Sequence, residues 1–117
     1  MREIKFRTYG FDGTEGPKMW EGSRVMDCLD LWLADKTAHI MQFIGLKDKN
    51  GVEIYEGDIL KIPHWAPEGI AVVVWVDEYA YFAYESPQVG MIEGFDGDEM
   101  NMEVIGNIYD NPELIGE

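Results

Sequence analysis

The chain has 117 residues, 46% of them apolar, one cysteine and a formal net charge of −14. That size and composition suit one globular domain, and no apolar run approaches the ~20 residues of a membrane-spanning helix. A single cysteine excludes an internal disulfide and a multi-cysteine zinc site, and suits a reducing compartment.

The charge is uneven. Residues 1–60 carry eight Lys/Arg against eleven Asp/Glu, whereas residues 61–117 carry Lys61 alone against twelve. Nucleic-acid binding depends on neutralising phosphates with cations, so the second half is expected to repel nucleic acid. Arg2, Lys5 and Arg7 offer at most a small basic patch, more often the solvated face of a strand than a binding site. The start of the chain has no apolar h-region and no small-residue cleavage site, so no signal peptide is expected.

In chain order, residues 2–9 alternate, with Ile4 and Phe6 on one side and Glu3, Lys5 and Arg7 on the other. This predicts a half-buried strand. Gly10, Gly13, Gly16 and Pro17 mark a loop, and Met19-Trp20 open a short strand. Residues 24–36 are ambiguous. Val25, Cys28, Leu29, Trp32 and Leu33 make a helical stripe that Ser23 would cap, while Leu29, Leu31 and Leu33 alternate as in a strand. Cys28 among apolar neighbours reads as a small core residue before it reads as a nucleophile. His39 lacks a second His or Cys at metal spacing and reads as a surface residue.

Ile40 to Ile44 is an apolar strand that leads into Gly45 to Leu60, GLKDKNGVEIYEGDIL. Asn50-Gly51 predicts a type I′ hairpin turn, since Asn tolerates positive φ and Gly has no Cβ to clash, while polar Lys47-Asp48-Lys49 also suits the tip of a loop wider than two residues. Gly57 supplies a second positive φ, Asp58 can bond its side chain to nearby amides, and Asp48, Glu56 and Asp58 read as turn residues before they read as catalytic or metal-binding ones. Ile59, Leu60 and Ile62 form a strand that Pro63 ends. Ile70 to Val76 is a Val-rich strand expected to be buried on both faces, and it pairs across Asp77-Glu78 with residues 80–84. Residues 86–101 form a loop. Met102 to Tyr109 is a last strand, with a bulge at Gly106-Asn107. Asn111-Pro112-Glu113 reads as a cap, a Pro at the first position and an early acid of a short helical turn.

The fold class is therefore all-β, mainly antiparallel. The strand spacing fits a small SH3-like barrel over residues 45–117 with an added N-terminal β lobe over residues 1–44, within a single domain.

The segment IMQFIGLKDKNGVEIYEGDILK, residues 40–61, resembles the signature of the YopX family of phage and prophage proteins. The start, MREIKFR, and the end, VIGNIYDNPEL from Val104 to Leu114, are similar to that family's opening and closing. The three blocks cover about a third of the chain and span almost all of it. The sequence departs from the family's usual pattern at Tyr9, where an aromatic residue is displaced, and at Ile44, where Thr is common. Residues 10–39 and 65–102 match only loosely. The resemblance implies a β-rich, phage-encoded protein working in the cytoplasm of a bacterial host. It implies no established activity and no catalytic residues. The resembling positions Asn50, Gly51, Gly57, Asp58, Gly106 and Asn107 carry a structural signature.

Few residue patterns in the chain carry chemistry. Asp96, Asp98 and Glu99 are the best hard-oxygen cation candidates, but Met100 stands where an EF-hand needs an oxygen ligand. The glycines form no GxxxxGK[ST] loop. Ser23 and Ser86, the only serines, lie in no GxSxG, and nothing places Cys28 or either serine beside His39 or His64. Tyr79, Tyr81, Phe82 and Tyr84 would make a base-stacking platform only with interleaved cations, which this region lacks. Packing in a core or against a protein is the plainer reading.

A non-enzymatic protein without cofactor or metal is expected, one that self-associates or binds a host protein. Direct nucleic-acid and membrane binding are not expected. Two alternatives are an acidic imitation of a nucleic acid that occupies a host DNA- or RNA-binding protein, and, with less support, a metal-dependent hydrolase using Asp96 and Asp98.

Overall fold

A computed structural model describes residues 5–10, 18–20, 39–63, 65, 69–88, 90, 92–95, 97 and 99–116. The ambiguous segment 24–36 lies outside them, as do Arg2, Ile4, Ser23, Cys28, Trp32, His64, Asp96 and Asp98. The chain divides into two units, Met1–Phe43 and Ile44–Glu117.

In the first unit, β1 (Phe6–Gly10) pairs antiparallel with β2 (Lys18–Trp20) on one side and with β3 (His39–Lys47) on the other. The strand forms as expected, but burial does not alternate along it: Arg7 and Thr8, on opposite sides, are both buried, and Phe6 is exposed. Phe6 is 45% exposed and pairs with Gln42, while Arg7 is 8% exposed and pairs with buried Met41. Directly paired residues share a face, so Arg7 lies on the side of the buried Met41 and Phe43. Long basic side chains can lay their stems on such a face. The Lys5 ammonium sits 5.6 Å from the Phe43 ring centre. Because Arg7 is buried, it does not join an exposed basic patch.

The second unit begins within β3. There β3 is followed by β4 (Glu53–Tyr55), its neighbour in a sheet. Five strands form a second sheet in the order β8-β7-β6-β5-β9: β5 (Asp58–Lys61), β6 (Ile70–Val76), β7 (Tyr81–Glu85), β8 (Ile92–Gly94) and β9 (Glu103–Asn107). Strands β5 to β8 form a meander, and β9 returns to pair with β5. All these pairs are antiparallel, and the protein is mainly antiparallel β. Among the described residues β8 and β9 stand at the two ends of the sheet order, with no pairing that joins them into a closed barrel. A 3₁₀ turn, Glu99–Asn101, precedes β9 and another, Pro112–Ile115, follows it.

The core of this unit is Ile44, Ile54, Leu60, Ile62, Ala71, Val73, Tyr84 and Met102, with Leu46, Trp65, Phe82, Phe95 and Val104 packed around it. Each fully buried Ile, Leu or Val contributes roughly 1.5–3 kcal/mol. Ile54, Leu60 and Val73 lie on different strands, so the core joins β4, β5 and β6. The Val-rich β6 is not buried on both faces. Ala71 and Val73 are buried, Ile70, Val72, Val74 and Val76 are half-buried, and Trp75 is exposed. Strand β8 was not expected within loop 86–101. With three residues it is too short to show a period.

Candidate functional site

Positive φ at Gly51 and ordinary φ at Asn50 exclude the two-residue type I′ turn expected from Asn-Gly. The turn is one residue wider. The Gly51 amide donates to the Asp48 carbonyl at 3.0 Å, and the Asp48 amide donates to the Val52 carbonyl at 2.9 Å. This is a type I turn closed by a left-handed glycine, in which Asp is favoured at the first position and Gly at the fourth. The Asp48 side chain selects it. Its Oδ1 accepts the amides of Asn50 at 2.8 Å and Val52 at 2.9 Å. A carboxylate bonded to the second and fourth following amides holds the turn from inside.

The other oxygen of Asp48 reaches across 56 residues of sequence. Its Oδ2 accepts the Val104 amide at 2.8 Å, at the start of β9. The Lys49 amide also donates to the Met102 carbonyl at 3.0 Å, and the Lys49 ammonium lies 4.0 Å from Glu103. Burial, which leaves Asp48 1% exposed, pushes its carboxyl pKa up. The amides of Val104, Val52 and Asn50, with the charge of Lys49, outweigh it and hold the carboxyl below its ordinary value.

The second turn grips the other end of β9. Gly57 has φ +83°, its amide donates to the Val73 carbonyl at 2.9 Å, and its carbonyl accepts the Ile108 amide at 2.9 Å. Buried Asp58 accepts the Tyr55 amide at 2.8 Å and pairs with Asn107 in the ladder. Asn107 then shapes the exit from β9. Its Oδ1 accepts the amides of Tyr109 at 3.0 Å and Asp110 at 2.9 Å, and its Nδ2 donates to the Asp110 carboxylate at 3.1 Å. Asn111 makes no side-chain cap of the 3₁₀ turn that follows it. Its Oδ1 turns back and accepts the Asn107 amide at 3.2 Å. Gly106 makes room for this, since a Cβ there would meet that oxygen at 2.5 Å. The bulge of β9 lies just before Gly106: Leu60 pairs with Val104 and Ile59 with Gly106, leaving Ile105 as the extra residue.

The structure therefore brings Asn50, Gly51, Gly57, Asp58, Gly106 and Asn107 to the two ends of one strand. Asp48 and Asn111 belong with them. Asp48 was legible as a turn residue, but its bond to Val104 has no signal in local sequence.

The remaining candidates do not join this group. His39 is exposed on β3, and Ser86 is buried just after β7. Glu99 is half-buried in its 3₁₀ turn, and its neighbours Asp96 and Asp98 lie outside the described residues. Among the described residues no group of three His, Cys, Asp or Glu is placed to hold a metal ion, and no helix is long and apolar enough to cross a membrane.

The model of the YopX protein family matches residues 4–116. The chain belongs to the YopX family. Three solved chains match it in structure. One is the crystal structure of protein EF1440 from Enterococcus faecalis, with a TM-score of 0.61 and 25% identity over 98% of this chain and 99% of that one. Among curated proteins none matches. Within the matched residues, segments 40–61 and 104–114 bond to each other.

Proposed function

We propose that this YopX protein is a non-enzymatic accessory protein of a phage or prophage, acting in the cytoplasm of the bacterial host by binding protein, either a host protein or further copies of itself. The observation that carries this reading is how the signature's polar groups are used. The side chains of Asp48, Asp58, Asn107 and Asn111 accept bonds from amides of their own chain. Carboxylates committed in this way are poor proton carriers, because protonation breaks the bonds that hold the turn. The exposed surface combines a large acidic excess with several large apolar side chains, including Trp75, Tyr79, Ile92 and Met100. Such side chains mark a site of protein contact when they adjoin one another.

A second reading rests on charge. With Lys61 against twelve Asp/Glu, residues 61–117 resemble a polyanion, and the partner would be a host DNA- or RNA-binding protein held in place of its nucleic acid. Capture by the tagged protein from bacterial lysate, with and without nuclease, tests both. Retention of a defined host protein or of untagged copies after nuclease treatment supports protein binding. Displacement of that partner by DNA selects the second reading. Retention of neither at physiological salt overturns both.

A further inference from the structure

The tip of the β6–β7 hairpin is aromatic. Paired residues share a face, so Trp75 and Phe82 lie on the side that buries Val73 and Tyr84 further along the ladder. Their rings meet edge to face at 4.9 Å, yet Trp75 remains 43% exposed. Tyr81 pairs with Val76 on the opposite side, and its ring lies against Gly94, where a Cβ would stand 3.0 Å from it. Tyr79 lies beside Tyr81, with ring centres 6.2 Å apart, and is 68% exposed. Between the two faces the turn exposes Asp77 and Glu78. Ala80 holds φ +54°, a left-handed conformation that costs an alanine roughly 1–2 kcal/mol. Lys61, the one cation of residues 61–117, pairs with Ile70 at the far end of β6. Five residues of strand, about 17 Å, separate Ile70 from Trp75.

Part-exposed aromatic side chains flanking a turn with two exposed carboxylates, on an acidic chain, attract cations. A guanidinium or ammonium gains from the ring face and from the carboxylate together. A second copy of this chain, with the same −14 charge, is disfavoured here, and nucleic acid is repelled. We propose that the tip of the β6–β7 hairpin, Trp75, Tyr79 and Tyr81 with Asp77 and Glu78, is the docking surface for a Lys/Arg-rich segment of another protein. This rests on the reading of the chain as a protein-binding module, and it names the surface and the chemistry of the partner.

The test is fluorescence anisotropy at about 0.15 M salt, where charges beyond about 8 Å are screened. The probe is a short labelled peptide of alternating Lys-Arg and Gly-Ser pairs, compared with the same peptide carrying Gln at every Lys and Arg. The full chain is expected to bind the basic peptide and not the Gln peptide. Trp75→Ala and Tyr79→Ala each weaken binding at least about fivefold, the scale of a partly desolvated cation–ring contact. Tyr79 is the variant with least bearing on folding. Asp77→Asn with Glu78→Gln weakens binding by a similar factor. Asp110→Asn with Glu113→Gln, which removes the same charge beyond β9, changes it by less than about twofold. Equal losses in the two charge variants, unchanged binding in the aromatic variants, or no binding of the basic peptide overturns the proposal. So does self-association that Tyr79→Ala abolishes. Failure here is separable from failure of the wider reading. If Tyr79→Ala protein retains the same partner from lysate as wild type, the hairpin is wrong and protein binding stands. If wild type retains nothing, protein binding itself fails.

Discussion

Asp48→Asn removes the charge of the carboxylate that joins the first turn to β9 and leaves its shape in place. Amides bonded to a charged acceptor contribute roughly 1.5–3 kcal/mol each when shielded. Asn50 and Val52 are exposed, so water replaces most of what their amides lose, and their share is about 0.5 kcal/mol each. Val104 is half-buried in the ladder, and its amide would face either a neutral oxygen or the NH₂ of the new amide. That bond dominates, so the expected loss is about 2–3 kcal/mol. Asp48→Ala, which removes all three acceptors, is expected to cost about 3–4 kcal/mol. Urea unfolding at pH 7, followed by two probes to confirm a two-state transition, measures both. The sign with pH follows from the depressed folded pKa. The contribution is fully present above the unfolded value, 3.8, and is lost as pH falls through the lower folded value. The stability gap between wild type and Asp48→Asn therefore shrinks progressively from about pH 5 downward. A loss below about 0.5 kcal/mol at pH 7, or a gap that widens with acid, would refute the role given to Asp48.

Gly106→Ala must displace the Asn111 carboxamide and with it the bond to the Asn107 amide, so a loss of roughly 1–3 kcal/mol is expected by urea unfolding. Gly57→Ala places a Cβ at φ +83° in a turn bonded on both sides, and should cost about 1–2 kcal/mol in the same assay. Ala80→Gly relieves a left-handed alanine while loosening the unfolded chain by about 0.4–1 kcal/mol, so a small net gain and a raised Tm are expected. Met102→Ala opens a cavity in a fully buried position and should lower stability by about 2–5 kcal/mol.

What sequence could reveal here was local order. The β6 strand, its pairing with β7, the turn glycines and the bulge before Asn107 all follow from nearest neighbours, and each was legible within a residue or so. What it could not reveal depended on partners far along the chain. Alternation in β1 did not foretell burial, because buried Met41 and Phe43 of β3 share the side of Arg7 while Thr8 is buried on the other side. Asn-Gly pointed to a two-residue turn, but the carboxylate two positions earlier prefers the wider one. The cap predicted at Asn111 failed for the same reason: a competing amide at Asn107 took the side chain.

The same distinction bears on what membership of the YopX family conveys. Segments 40–61 and 104–114, which resemble the family's signature, are bonded to each other, and these bonds fix β9 beside β5. A match to them transmits a fold. A surface that meets a partner is under no such constraint, and it should lie where the resemblance is loose. Residues 65–102 are that region, and within it the β6–β7 hairpin presents Trp75, Tyr79 and Tyr81 to solvent. Grafting the tip residues 76–81 of a different YopX protein onto this chain would therefore leave urea stability within about 1 kcal/mol and change which basic peptide is bound. If the graft unfolded the chain, the hairpin would belong to the scaffold and the partner surface would have to be sought elsewhere.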